Sequence, residues 1–299
     1  MTAMDSGNGS LTVSAALQRA TRMLSSHGDS PRLDAEILLG CVLGVSRSAL
    51  IVRGADPVTA ETRRAYDQLI AGRMQGAPVA YLTGTREFWS LELAITPDVL
   101  VPRPETEVLV ELALGLLPKH VSLSVLDLGT GSGAIALALA SERPLVRMTG
   151  VDVSEPALAV AMANSRKLGL MQIRWRAGSW FQAVRGRRFD MIVSNPPYVA
   201  SNDPALQHLA AEPAVALSCG PTGLEAFDGI IDGAAEHMNP GGWLLLEHGH
   251  TQADDVARML ECRGFDHIRS HADYSGNARV TLGSHSSISL HRSPHKEHQ

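Results

Sequence analysis

The feature that most restricts the fold is a glycine-rich stretch, Asp127-Leu128-Gly129-Thr130-Gly131-Ser132-Gly133, set between an apolar run and a helical run. Val125-Leu126 ahead of it reads as a buried strand, and residues 135–140 behind it as a helix with small residues on its inner face. Glycines at such a junction allow a sharp backbone turn and the close approach of a ligand. The same alternation continues downstream. Residues 148–153 read as a second strand, 156–168 as a second helix, and 173–175, 189–194 and 243–247 as further strands. Strands alternating with helices imply right-handed βαβ units and a mostly parallel sheet covered on both faces. Residues 265–270 and 279–282 lie close together and predict an antiparallel edge pair. The expected fold class is α/β, with a small helical bundle in front.

That bundle is expected over residues 1–86. Val13, Leu17, Ala20 and Leu24 recur at helical spacing, and Ser30-Pro31 gives an N-cap followed by proline at the first helical position. Leu33, Ile37 and Cys41 form a second apolar stripe that ends at Gly44. Ser46 opens a short third helix, and Thr59 opens a fourth that runs through Leu69 and Ile70 to Gly76. Nothing in these four helices looks catalytic. Between residues 87 and 101 the period becomes two: Leu91, Leu93 and Ile95 alternate with Ser90, Glu92 and Ala94, and Thr96-Pro97-Asp98 signals a turn. A β-hairpin linker is expected there. Pro104 with Glu105 and Glu107 then starts a helix, its acids at the positive end.

A chain of 299 residues with 44% hydrophobic and 19% charged side chains suits two soluble domains. No apolar run approaches the ~18 residues of a membrane span. The polar first ten residues lack the plan of a signal peptide, so the expected location is cytoplasmic. Cys41, Cys219 and Cys262 stand far apart, at no metal-ligand or redox-motif spacing, and no metal is expected. A net charge of −5 gives no field for attracting nucleic acid. The Ser- and His-rich residues 284–299 read as a disordered tail.

Two acid and amide positions give the glycine loop chemical meaning. Asp152 ends the second strand, where a carboxylate can accept from ribose hydroxyls. Gly129, Gly131 and Ala134 also satisfy the dinucleotide fingerprint, so the loop alone implies only a nucleoside cofactor. Asn195-Pro196-Pro197-Tyr198 follows the strand at residues 189–194. Two prolines fix two φ angles and remove two N–H donors, which leaves a rigid turn presenting acceptors. The Asn195 side-chain oxygen and the Pro196 carbonyl match a planar –NH2 group with two hydrogens to give. A tyrosine beside them can cover a planar amide or base. Hydride transfer has no use for this arrangement.

Together the glycine loop, Asp152 and Asn195-Pro196-Pro197-Tyr198 resemble class I S-adenosylmethionine-dependent methyltransferases acting on planar nitrogen. The resemblance narrows through Tyr81-Leu82-Thr83-Gly84, Glu87-Phe88-Trp89, Pro102-Arg103-Pro104-Glu105-Thr106-Glu107, Leu245-Leu246-Glu247-His248-Gly249, and Asp273-Tyr274 with Arg279-Val280. In this order, from about residue 14 to 283, the chain resembles the bacterial release factor glutamine methyltransferases, the HemK/PrmC family. The resemblance implies a helical substrate-recognition domain over 1–86, a hairpin linker over 87–101, and a Rossmann-like S-adenosylmethionine-dependent domain over 102–283. It implies methylation of the side-chain amide of glutamine in the Gly-Gly-Gln motif of class I peptide chain release factors. By the same resemblance Gly129, Thr130, Gly131, Ser132 and Gly133 hold the methionine end of the cofactor and Asp152 its ribose. Trp180 lies against the adenine, and Asn195 also touches the cofactor. Asn195, Pro196, Pro197 and Tyr198 are the catalytic and substrate-binding set, joined by Arg103. Two positions depart from the family pattern: Ser179 stands where an acid is common, and Ala211 where an aromatic is usual.

Other readings share parts of this pattern. A glutamine methyltransferase of a large-subunit ribosomal protein carries the same Asn-Pro-Pro-Tyr turn, but residues 102–107 resemble the release factor group better. An adenine-N6 nucleic acid methyltransferase would meet the same –NH2 geometry and would want a basic groove. A nicotinamide oxidoreductase or a non-catalytic nucleoside-binding module leaves Asn195 to Tyr198 without a purpose. Neither membrane nor nucleic acid is expected as a partner.

Overall fold

The computed structural model describes residues 11–28 and 30–285. The polar first ten residues and most of the expected tail, 286–299, lie outside them. The chain divides after Thr85 into two compact units.

The first unit holds α1 (Val13–Met23), α2 (Pro31–Leu43), α3 (Arg47–Val52), α4 (Ala60–Met74) and α5 (Val79–Thr83). Its helix starts follow from capping chemistry. The Thr12, Ser46 and Thr59 hydroxyls accept from the N–H groups of Ala15, Ala49 and Thr62, each satisfying a donor that has no partner within its helix. Pro31 opens α2, and Gly44 closes it at φ +63°. Leu17, Leu24, Leu38, Leu39, Leu50 and Ile70 form the core. Tyr66 is buried among them and donates its hydroxyl to the Ala35 carbonyl at 3.0 Å. The fifth helix is the one the sequence hid. It is five residues long between Pro78 and Gly84, too short to display a period.

The second unit opens with a hairpin, β1 (Thr85–Phe88) and β2 (Leu91–Ala94). Its turn is Trp89-Ser90, both left-handed at φ 51° and 58°, whereas Thr96-Pro97-Asp98 turns only after the hairpin has ended. Left-handed residues without glycine give no sequence signal. Here the turn is pinned from outside: the Trp89 N–H donates to Glu107 Oε1 at 2.8 Å and the indole N–H to Glu142 Oε1 at 3.2 Å. Glu107 is thereby committed to the hairpin.

A 3-10 turn at Pro104–Thr106 leads into α6 (Glu107–Leu116). There follow β3 (Ser124–Leu128), α7 (Ala134–Glu142), β4 (Arg147–Asp152), α8 (Glu155–Lys167), β5 (Arg174–Ala177) and β6 (Phe189–Ser194). The unit ends with α9 (Ala214–Leu217), α10 (Glu225–Ala234), β7 (Met238–Glu247), α11 (Ala253–Cys262), β8 (Phe265–Ala272) and β9 (Ala278–His285). The seven-stranded sheet has the order β5-β4-β3-β6-β7-β9-β8. The first five strands are parallel, and β9 runs antiparallel to both of its neighbours. The expected antiparallel pair is therefore present, but β9 lies inside the sheet and β8 forms the edge. β9 also takes Ser284 and His285, two residues expected in the tail.

One face of the sheet packs on α10 and α11, where Leu126, Ile192, Phe227, Ile230, Leu244 and Leu260 are buried. Each such side chain contributes ~1.5–3 kcal/mol by leaving water. The register then sets up the site. Leu128 pairs with Val151 and with Ser194, and Ser194 with Leu246. The next residue on each strand, Gly129, Asp152, Asn195 and Glu247, therefore falls in one row along the carboxyl edge.

Candidate active site

A cavity of about 350 Å³ opens at that edge, and its wall includes Gly129, Gly131, Asp152, Trp180, Asn195 and Pro197. Ligands of open α/β sheets bind in this crevice, beyond the carboxyl ends of the strands.

The glycine loop is built by its own hydrogen bonds. The N–H groups of Gly129 and Thr130 both donate to the Val151 carbonyl, at 2.9 and 3.0 Å. The Gly131 N–H donates to Asp152 Oδ2 at 2.8 Å, while Asp152 Oδ1 accepts from the Ser154 N–H at 2.9 Å. Asp152 thus holds the loop against its own strand end. Gly131 has φ +56°, and a Cβ there would meet nothing within 4 Å. The absent side chain keeps that part of the wall open. Thr130, Ser132 and Gly133 are buried behind the wall. Thr130 donates its hydroxyl to Asp127 Oδ2 at 2.5 Å, and Gly133 lies under the Trp175 ring. Burial pushes the Asp127 carboxyl up to about 7, and its Oδ1 has no partner.

Two residues without a local sequence signal support this loop. Asn164, fully buried, donates to the Ser132 carbonyl and exchanges both of its amide groups with the Ala94 backbone. Trp175 fills the space over Gly150, where a Cβ would come within 2.5 Å of the ring. Trp180 is left-handed at φ 44°, and its ring lies against Gly129 and Gly229 at the wall.

On the other side, Asn195 donates Nδ2–H to Thr106 Oγ1 at 3.2 Å, while its Oδ1 is buried with no hydrogen-bond partner. Pro197 lines the cavity, and its carbonyl accepts from the Cys219 thiol at 3.0 Å. Burial pushes that thiol above its ordinary pKa. Pro196 and Tyr198 stand behind the wall. Burial pushes the Tyr198 phenol up to about 12, so it stays neutral. The Tyr198 carbonyl accepts from Gln252 Nε2 at 3.1 Å, which fixes the far end of the turn. Arg103 is turned to Glu212: the two form an ion pair, and Glu212 also accepts from the Val101 N–H at 3.0 Å. That pair ties the chain before α6 to Pro213, which lines the cavity. Ser218, also in the wall, has a buried hydroxyl with no partner.

The glycine loop and the two-proline turn thus face one cavity at the carboxyl edge of a mostly parallel sheet. Residues 106–261 match the family model described as the methyltransferase small domain, and this unit is a methyltransferase domain. Residues 15–84 match the model described as the PrmC N-terminal domain. A release factor glutamine methyltransferase of Salmonella typhimurium is 46% identical over 257 residues, 85% of this chain and 92% of that one. Another from Coxiella burnetii is 41% identical over 272 residues, 91% of this chain and 98% of that one. A solved methyltransferase of Pyrococcus furiosus shares the fold, with a TM-score of 0.51 at 19% identity over 66% of this chain and 89% of that one. The chain belongs to the release factor glutamine methyltransferase family.

Proposed function

We propose that this chain transfers a methyl group from S-adenosylmethionine to the side-chain amide nitrogen of the glutamine in the Gly-Gly-Gln motif of class I peptide chain release factors. Such a substrate belongs to translation and places the enzyme in the cytoplasm. The observation that carries the reading is Asn195 Oδ1, a buried acceptor without a partner in a cavity wall. A buried polar atom left unpaired costs free energy, so it calls for a donor from a ligand. An amide –NH2 is such a donor.

The residues present fit the cofactor. The cavity of about 350 Å³ falls within the ~300–1,000 Å³ range of ligand pockets. Gly129 and Gly131 leave room at the backbone for the methionine end, Asp152 faces the ribose, and the Trp180 ring offers a flat surface for the adenine. S-adenosylmethionine supplies a methyl group already activated on a sulfonium. The residues of this chain solve the remaining problem, which is the poor nucleophile. An amide nitrogen has its lone pair delocalised into the carbonyl. Asn195 Oδ1 accepts one of its N–H groups and aims the nitrogen. Alignment of this kind supplies up to ~7–11 kcal/mol of barrier reduction. The same acceptor stabilises the positive charge that develops on nitrogen. The proton leaves to water, and no general base is required. Arg103, paired with Glu212 beside Pro213 and one third exposed, is the further substrate-binding residue in this reading.

Mass spectrometry of a release factor incubated with enzyme and S-adenosylmethionine tests the reading. The Gly-Gly-Gln peptide should gain the mass of one CH2 group. A cofactor-bound enzyme that leaves this peptide unmodified would sink the assignment.

A further inference from the structure

Asn195 can serve as an acceptor only if its amide is turned one way, with oxygen to the cavity and nitrogen away. The two orientations have nearly the same shape, so packing does not choose between them. Hydrogen bonding does. Nδ2 donates to the hydroxyl of Thr106, which is 4% exposed. Beside it stands the carboxyl of Glu247, which is 1% exposed, with its Oε2 unpartnered, and whose charged form the Thr106 hydroxyl favours. The sheet register explains the meeting: Ser194 pairs with Leu246, so Asn195 stands level with Glu247 on the neighbouring strand. Thr106 reaches both from the 3-10 turn before α6.

We propose that Thr106 and Glu247 are positioning residues that set the orientation of the Asn195 amide; this rests on the reading of Asn195 as the clamp for the substrate amide. A hydroxyl has one hydrogen to give. An ionised Glu247 can only accept, so Thr106 gives that hydrogen to Glu247. The Thr106 oxygen is then left as an acceptor, and only the NH2 end of Asn195 can meet it. Asn195 Oδ1 is thereby turned to the cavity. A protonated Glu247 reverses the chain. It can donate to Thr106, whose hydrogen is then free for Asn195 Oδ1, and the NH2 end swings toward a substrate that also presents NH2.

Burial pushes the Glu247 carboxyl up to about 7. Thr106, Arg279 and Arg103 favour its ionised form and Glu105 opposes it. Tyr198 also faces it and is neutral up to about 12. The clamp is therefore set as pH rises through about 7. Asp127 titrates in the same range but stands on β3 and bonds Thr130, not Thr106.

The test uses the full chain with Thr106→Val, Thr106→Ser and Glu247→Gln, beside Asn195→Ala. Thr106→Val keeps the shape and removes the hydroxyl; kcat should fall about tenfold to a hundredfold, the range expected for a misplaced reacting group. Its affinity for S-adenosylmethionine should stay within about twofold, because the hydroxyl faces Asn195 and not the cofactor loop. Thr106→Ser restores the hydroxyl and should recover most of the turnover. In the parent enzyme kcat should rise with pH through about 7, and Glu247→Gln should abolish that limb. Thr106→Val with parental kcat, or a pH limb that persists in Glu247→Gln, overturns the proposal. If Thr106→Val fails to fold, the pH profile of Glu247→Gln decides alone. Asn195→Ala separates the two layers: parental turnover there defeats the clamp itself, whereas its loss beside a fully active Thr106→Val defeats only the relay.

Discussion

At the scale of single residues, the site is a set of committed and uncommitted hydrogen-bonding atoms. Asn195→Ala removes the uncommitted acceptor. Turnover should fall ~10²–10³-fold, as for loss of a preorganised polar contact in a transition state. Cofactor affinity should hardly move, and steady-state kinetics beside calorimetry would check both. Asp152 is different, because both of its oxygens already accept from the backbone, at Gly131 and Ser154. Asp152→Ala should weaken S-adenosylmethionine binding by about tenfold to a hundredfold, consistent with ~1.5–3 kcal/mol for a hydrogen bond to a charged group. Calorimetry with parental affinity would remove Asp152 from the site. Both positions could be singled out in the sequence: Asn195 ends a strand and precedes two prolines, and Asp152 ends the strand that follows the glycine loop, about 20 residues on. Thr106, Asn164 and Glu247 were not legible in their roles. Asn164 bonds Ala94, 70 positions away, and Asn195 meets Thr106 across 89. A single sequence carries no record of such distances.

At the scale of elements, the sequence revealed strands and helices that repeat an apolar period and hid those defined by context. The strand Phe189–Ser194 has the bounds its apolar run suggests. The hairpin does not, because its turn is made by Trp89 and Ser90 in left-handed conformations stabilised by Glu107 and Glu142. α10 buries Ala226, Phe227, Ile230, Ile231 and Ala234, an amphipathic pattern that was present but not read. The place of β9 inside the sheet could not be read at all, since closeness in sequence predicts pairing and not strand order. The contact of β4 with β5 is the element-level feature most open to test. Gly150 on β4 lies under the Trp175 ring on β5. Gly150→Ala should destabilise the protein by ~1–3 kcal/mol through overpacking, measured by denaturant unfolding. Unchanged stability would mean that the ring moves aside freely.

At the scale of the whole molecule, the chain is two compact units. The first has its own core and capped helices, and we propose that it recognises the protein substrate. A chain beginning near Arg86, where the second unit starts, should bind S-adenosylmethionine and methylate intact release factor poorly. Full activity of that folded fragment would reject the assignment. Acid–base behaviour is also a property of the whole. Burial raises Asp127 from its ordinary 3.8 to about 7, so the folded state keeps that proton longer than the unfolded chain does. Its contribution to stability is complete below the ordinary value and is lost as pH climbs to about 7. The Tm of Asp127→Asn should therefore gain on the parent between about pH 5 and about pH 8, and a constant difference would contradict the shift. A last consequence follows from α7, whose residues from Ala134 to Ala140 are all buried. Those seven residues have no outward face and no position at which change is silent. Neutral drift across generations will thus collect on the half-exposed α4 and α11, while the segment that follows the glycine loop stays nearly fixed in composition.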